Sequence, residues 1–339
     1  MKRMSLLLSL FIVCISSFSK ERRAEDYYID AYNKIGEMLT GDSLLSIKKA
    51  VFLAEWAYYE GRLNYATDFC EEIERIRNYV NLFYAVNNLR KYKTGKQIAL
   101  TEYFFRPFSG NGYRPYLYDE ESFINGDESW ESQFVSKTLK THSGQCRSLP
   151  WMFKILSEEI GADVALARVP GHCYIMYKDE DNRTPEEWIN LDITSQQMQP
   201  AWWIKEDSEL RDSSIIVGTY MTPLTDEQTV ACQLADLAHG YYMKFNRYDE
   251  FTLNSASLSL EYYPMNPTAI IIYGKSLTNL LEKHMMNNGF IYDEYAFYLS
   301  ILIENATKKL ERTYMKSLST ERLEHKRKQL IEHKNNIKN

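Results

Sequence analysis

The apolar period changes once between Ser143 and Asp192, and Gly161 marks the change. Before it, Leu149, Met152, Phe153, Leu156 and Ile160 recur at spacings of three and four, which is one face of an amphipathic helix ended by the glycine. Pro150 has no N–H to donate and must lie in the first turn, so the helix starts close to Cys146. After Gly161, Val164 to Val169 reads as a short strand, Pro170-Gly171 breaks it, and His172 to Tyr177 resumes extended. The polar run Lys178 to Glu187 is an expected hairpin loop, and Trp188 to Asp192 the returning strand. A helix laid on an antiparallel hairpin limits the core to the α+β class.

Reactive side chains sit at the joints of these elements. Cys146 falls at the helix start, where the positive end of the macrodipole favours a thiolate. His172 opens a strand 26 residues later (172 − 146). With period-two alternation, Trp188, Asn190 and Asp192 share one face, and an antiparallel partner can bring that face beside His172. A nucleophilic thiol needs a base to take its proton and a third group to orient the base. Cys146, His172 and Asp192 fill those roles in order. His142 is a rival base by proximity, placed in a loop before the helix. The Cys146 backbone N–H is the natural oxyanion donor, and the Gln133 side chain is either a second donor or a surface glutamine. Cys173 follows His172 in a strand, so its side chain is expected to point away from the site.

Three short motifs carry a resemblance: Gly144-Gln145-Cys146, His172-Cys173-Tyr174, and Trp188-Ile189-Asn190-Leu191-Asp192-Ile193-Thr194. Together they resemble the transglutaminase-like superfamily of papain-related thiol enzymes, over residues 129–195, roughly a fifth of the chain. The resemblance implies Cys146 as nucleophile, His172 as general base and acid and Asp192 as orienter, supported by Trp188, Asn190 and Thr194. Members often carry an acidic residue four positions after the histidine, where this chain has Met176. The resemblance implies an enzyme that acts on amide bonds of peptides or proteins through a Cys thioester, by hydrolysis or acyl transfer.

Around this core the chain divides into four expected segments: 1–19, 20–105, 106–222 and 223–339. Lys2 and Arg3, the apolar run Ser5 to Ile15 and Ser17-Phe18-Ser19 read as a signal peptide, which predicts an exported, periplasmic or extracellular, bacterial-type protein. Lipidation at Cys14 is the alternative and the one route to a membrane anchor. Residues 20–105 read as a helical layer, with stripes Ala50, Leu53, Ala54, Ala57, Tyr58 and Phe69, Ile73, Ile76, Val80, Phe83, Tyr84 forming a hairpin about Glu60-Gly61. Arg106 to Glu128 is rich in Pro, Gly, Tyr and Asp and is expected to be a loop at the substrate-facing rim. Trp130 to Leu139 follows as a short helix.

From Thr225 onward the pattern is helical. Gly240 and Gly274 stand 34 apart (274 − 240), and Tyr248-Asp249-Glu250-Phe251 and Pro264-Met265-Asn266-Pro267 resemble a tetratricopeptide unit, with Tyr292-Asp293-Glu294 echoing the first triplet. The resemblance implies α-hairpins able to take a protein partner, and the rival to catalysis is a non-catalytic scaffold working through them. Thr320 to Lys338 is densely charged and expected to be a solvated capping helix. A formal net charge of −6 gives no basic face for nucleic acid. The four cysteines after Cys14 lack metal-ligand spacing, and no C-x-x-C or H-E-x-x-H occurs, so neither metal nor cofactor is expected.

Overall fold

The computed structural model describes residues 22–125 and 129–313, with Glu324, Arg327, Lys328, Ile331 and Glu332 beyond them. The expected signal peptide, Cys14 and most of the expected last helix lie outside the described residues. Four helices come first: α1 (Ala24–Thr40), α2 (Ile47–Tyr58), α3 (Glu71–Val86) and α4 (Gly95–Phe105). A two-residue strand β1 (Leu117–Tyr118) and the short helices α5 (Glu120–Asn125) and α6 (Val135–Thr141) lead to β2 (Ser143–Gly144) and to α7 (Ser148–Ile160). The strands β3 (Ala165–Val169), β4 (His172–Lys178), β5 (Trp188–Asp192) and β6 (Gln197–Met198) follow. Helices α8 (Ala201–Asp207) and α9 (Asp212–Ile216) connect to the long helices α10 (Asp226–Phe245), α11 (Glu250–Tyr262), α12 (Pro267–Asn287) and α13 (Glu294–Thr313). The fold is α+β.

Strands β3 to β6 form one antiparallel sheet in sequence order. Its register follows from the pleat. Leu166, Ile175, Tyr177, Ile189 and Leu191 face α7 and join the main core, where Leu149, Phe153 and Leu156 of the helix are fully buried. Burying one such side chain contributes about 1.5–3 kcal/mol, so this seam alone holds helix and sheet together. The opposite face, with Ala167, Val169, Tyr174 and Met176, is covered by Ile204 of α8 and by Leu210 and Tyr220. The break between β3 and β4 is tight, with Gly171 at φ 69°, which favours glycine.

The helical layer departs from its expected pairing. Helix α2 packs between α1 and α10, while α3 packs on α4 and α7, so the two stripes do not close on each other as a hairpin. Glu60 and Gly61, both at positive φ, do make the turn after α2, but the chain then runs through Leu63 and Tyr65 before α3 begins. Periodicity identifies a buried face without naming its partner. Residues 106–125 are also less open than a plain loop, because β1 pairs in parallel with β2 at Leu117–Ser143 and Tyr118–Gly144. The single helix expected over Trp130 to Leu139 is a 3₁₀ turn over Trp130–Gln133 followed by α6.

At the C-terminal side, α10 to α13 stack as successive antiparallel neighbours. Asp249 caps α11 through Phe251 N–H at 3.0 Å, and Asp293 caps α13 through Ala296 N–H at 2.9 Å. The two aromatic-acidic triplets therefore occupy equivalent places, at the start of the second helix of each pair. The 34-residue spacing does not repeat: the first helices begin 41 apart (267 − 226), and Gly240 and Gly274 sit at different heights in α10 and α12. Gly240 answers a local approach instead, that of the Trp130 ring, whereas a Cβ at Gly274 would make only an ordinary contact with Ala306.

One core runs from α1 through α7 and the sheet to Tyr263 after α11. A largely buried ion pair, with side chains 11 % and 16 % exposed, crosses it. Arg147, one residue past the thiol, places Nε and Nη2 at 3.2 and 2.6 Å from Asp236 Oδ2 on α10, and its Nη1 donates to the Gln133 carbonyl at 2.8 Å. Removing one partner strands a buried charge, whereas replacing both need not. Asp236→Ala is therefore expected to lower the unfolding free energy by about 3–5 kcal/mol. Arg147→Met combined with Asp236→Leu should recover more than half of that loss, as read from urea midpoints.

Candidate active site

Cys146 precedes α7 by two residues, and its place is set by the turn around it. An added Cβ on Gly144 would come within 2.6 Å of Thr138 Oγ1 and 2.7 Å of Ser148 Oγ, so only glycine lets the turn pass. Ser148 Oγ accepts the Gln145 N–H at 2.9 Å, and Gln145 Nε2 donates to the Asp119 carbonyl at 2.9 Å, tying the rim segment to the turn. Pro150 cannot donate to the Cys146 carbonyl, so the first helical bond across this point is absent by covalent structure. The thiol itself donates to the Gly171 carbonyl at 3.6 Å, across the β3–β4 break.

His172 and Asp192 lie at the same end of the sheet, on one face. His172 Nε2 is 3.2 Å from Asp192 Oδ1, and the imidazole lines the same cavity as the Cys146 thiol. The Nε2 approach is close but off the line of a well-directed hydrogen bond, so the contact with Asp192 is mainly ionic. Asp192 is held from its other side. Its Oδ1 accepts from Thr194 N–H at 2.9 Å and Thr194 Oγ1 at 2.7 Å, and its Oδ2 from Ser195 Oγ at 3.0 Å.

Charge and burial act in opposite directions here. Burial works against an imidazolium at His172, but the contacts with Asp192 and Cys146 outweigh it and raise the group to about 10. Burial likewise works against the Asp192 carboxylate, and the His172 and Thr194 contacts override it, lowering the group to about 2. The arrangement thus favours a charged imidazolium–carboxylate pair over the whole neutral range. About a quarter of the His172 side chain (28 %) stays open to solvent, which gives a substrate access to it.

The site opens into a cavity of about 380 Å³ between the sheet end and the long helices. Cys146, Gly171, His172 and Cys173 line one side, and Asp236 and Thr268 the other. Gln133 also lines it, with its backbone carbonyl held by Arg147 Nη1. Cys173 is a correction. Its side chain does oppose that of His172 across the strand, but the face it occupies is the one that α7 approaches, so it lines the same cavity rather than pointing away. Burial pushes its thiol up to about 11.

Two of the expected supporting residues lie elsewhere. Trp188 and Asn190 share the Asp192 face, but they line a separate cavity with Met176 and Trp202, further along the strands. His142 is turned away: its Nδ1 lies 2.7 Å from the Arg114 carbonyl, and its ring stacks on Tyr116 at 4.4 Å. Tyr118, Arg147, Arg168 and Asp236 were not anticipated. Tyr118 is paired with Gly144, two residues before the thiol, and burial together with the charges of Cys146, Asp119, Glu120 and Asp192 raises its hydroxyl, which stays a donor. A charged residue inside the apolar run Val164 to Val169 was the available signal for Arg168.

Among the described residues no cluster of His, Cys, Asp and Glu could hold a metal ion. No described helix is long and apolar enough to cross a membrane. Comparison of the chain with protein-family models, curated proteins and solved structures gives no match in any of the three.

The pair has a definite pH signature. His172, raised from about 6.5 in the unfolded chain, adds stability in full below that value and loses it as pH climbs through about 10. Asp192, lowered from about 3.9, adds stability in full above that value and loses it as pH falls through about 2. The stability gap between the wild type and Asp192→Asn should therefore be widest from about pH 4 to 6.5 and shrink on both sides. Urea unfolding at five pH values measures it, and a gap that grows toward pH 10 would contradict the assignment.

Proposed function

We propose that the chain is a thiol acyl-transfer enzyme of transglutaminase-like core, acting on amide bonds of peptides or proteins. The observation that carries this reading is the meeting of Cys146, His172 and Asp192 at one sheet end, with a cavity in front of the thiol. The Cys146 sulfur adds to the amide carbonyl, and the C–N bond breaks as imidazolium His172 gives its proton to the departing amine. A thioester remains. His172, now neutral, takes a proton from water or from an acceptor amine, which attacks the thioester carbonyl and releases the thiolate. Water gives hydrolysis and an amine gives acyl transfer. The Cys146 N–H, at the start of α7, and the Gln133 amide are the donors suited to the oxyanion. Asp192 keeps the imidazole oriented and charged.

The same reading makes the enzyme an exported bacterial-type protein, on the strength of its N-terminal sequence, and assigns the α10–α13 hairpins to a protein partner. A scaffold function is favoured only by the exposed row Phe290, Ile291, Tyr292, Phe297 and Tyr298 on the last hairpin.

Alkylation at mildly acid pH tests the thiol without a known substrate. Cys146 should label fastest with iodoacetamide. Cys173 and Cys232 should be slowest, since burial holds their thiols up at about 11 and about 12. His172→Ala should slow Cys146 about ten-fold or more by removing the partner of the thiolate. Once an amide substrate is found, Asp192→Asn should lower turnover roughly 10²-fold and Cys146→Ala should abolish it, with the thermal midpoint measured alongside. Equal labelling of Cys146, Cys70, Cys173 and Cys232, or full activity in these variants, would leave the scaffold reading standing.

A further inference from the structure

The far end of the active-site cavity carries a guanidinium, Arg168, with no carboxylate in ion-pair contact among the described residues. Arg168 projects from β3, and its guanidinium contacts Asn266 Oδ1 at 2.9 Å, Thr268 Oγ1 at 3.1 Å and Cys232 Sγ at 3.8 Å. All three acceptors are neutral. Burial keeps the Cys232 thiol up at about 12 and the Cys173 thiol up at about 11, so neither supplies a counter-charge near neutrality. Asp236 lies in the same cavity but is committed to Arg147, and among the described residues no carboxylate stands within ion-pair distance of Arg168.

A second positive feature converges on the same place. Asn266 and Thr268 belong to the start of α12, a helix of 21 residues whose N-terminus carries the positive end of its dipole. The Asn266 side chain does not cap that helix. It accepts from Arg168 instead and donates to Ser259 Oγ at 3.1 Å. A guanidinium and a helix N-terminus held together away from bulk water repel each other unless an anion joins them. Apart from Cys146 and His172, two arginines face one carboxylate in the cavity, which leaves one positive charge. Thr268 Oγ1 accepts from Arg168, so its own O–H can donate to a third group.

We infer that this end of the cavity binds a carboxylate of the substrate through Arg168 and the start of α12, selecting amides with a negative charge near the scissile bond. The inference rests on the thiol acyl-transfer reading for the chemistry at Cys146. A planar guanidinium suits a carboxylate because it offers paired N–H donors in one plane. The cavity, at about 380 Å³, holds a group of a few residues at most, so thiol and carboxylate would engage the same short segment. That carboxylate is either a free chain terminus or an acidic side chain.

Three alkylating probes test this on the full-length protein. N-iodoacetyl-alanine carries a terminal carboxylate, N-iodoacetyl-aspartic α-amide a side-chain carboxylate, and N-iodoacetyl-alanine amide no charge. In each, the thiolate displaces iodide, and peptide mass spectrometry reads the labelling rates of Cys146 and of Cys70, a partly exposed thiol on another face. For at least one acid, the acid-to-amide ratio at Cys146 should exceed that at Cys70 by about ten-fold. In Arg168→Met the ratio should fall toward the Cys70 value, with a smaller fall in Thr268→Val. The faster acid identifies the source of the carboxylate. A Cys146 ratio no greater than that of Cys70 overturns the inference, and the wild type alone decides this if the variants misfold. Slow labelling of Cys146 by the neutral amide would count against the activated thiol instead, while the ratio would still report on the carboxylate site.

Discussion

The ion pair between Arg147 and Asp236 ties the nucleophile turn to the long helix α10. Arg147 is the neighbour of the thiol, and Asp236 stands in the middle of α10. Trp130 and Trp151 lie against the guanidinium at 5.2 and 5.6 Å, so it is enclosed by aromatic rings as well as paired. A charge this enclosed is costly to misplace, which makes the pair a source of specificity more than of net stability. It sets where the nucleophile turn stands relative to the long helices, and so determines the cavity between them.

Two further contacts hold the same geometry from other directions. Lys154 on α7 is buried, with Nζ donating to the Val164 carbonyl at 3.0 Å and to Asp226 Oδ1 at 2.9 Å, at the very start of α10. Glu55 on α2 is buried and accepts the N–H groups of Val135 and Ser136 at 2.6 and 2.9 Å, capping α6 from a distant helix. The turn bearing Cys146 is thus positioned by α2, α7 and α10 at once. Helices before and after the sheet form one support for it, which explains why the core is continuous from Tyr28 to Tyr263.

The site sits at the end of the sheet, where the alternation of faces matters less than along its length. A side chain in mid-strand faces one layer only, but at the β3–β4 break both His172 and Cys173 border the cavity. His172 reaches Asp192 on its own face while bordering the same cavity as Cys146, and Cys173 borders that cavity from the α7 side. Asn190 and Trp188, only two and four residues back from Asp192, already belong to a different cavity. Distance along the strand, rather than shared face, separates them from the thiol.

Local elements were legible from residue order because their causes are local. Gly161 ends α7 in the left-handed conformation at φ 67°, Pro150 lies in its first turn, and Pro170-Gly171 breaks β3 from β4, each for steric reasons contained in a few residues. The meeting of Cys146, His172 and Asp192 was legible for a related reason: a short helix–hairpin unit has few ways to close, and its pleat determines which side chains share a face. The partners of α2 and α3, the rim pairing that sets Tyr118 against Gly144, and the cavity charge made by Arg147, Asp236 and Arg168 were not legible. Arg147 and Asp236 are 89 residues apart, and Arg168 and Thr268 are 100 apart. No periodicity or short motif reports such pairings, because they exist only once the long helices have packed across the sheet end.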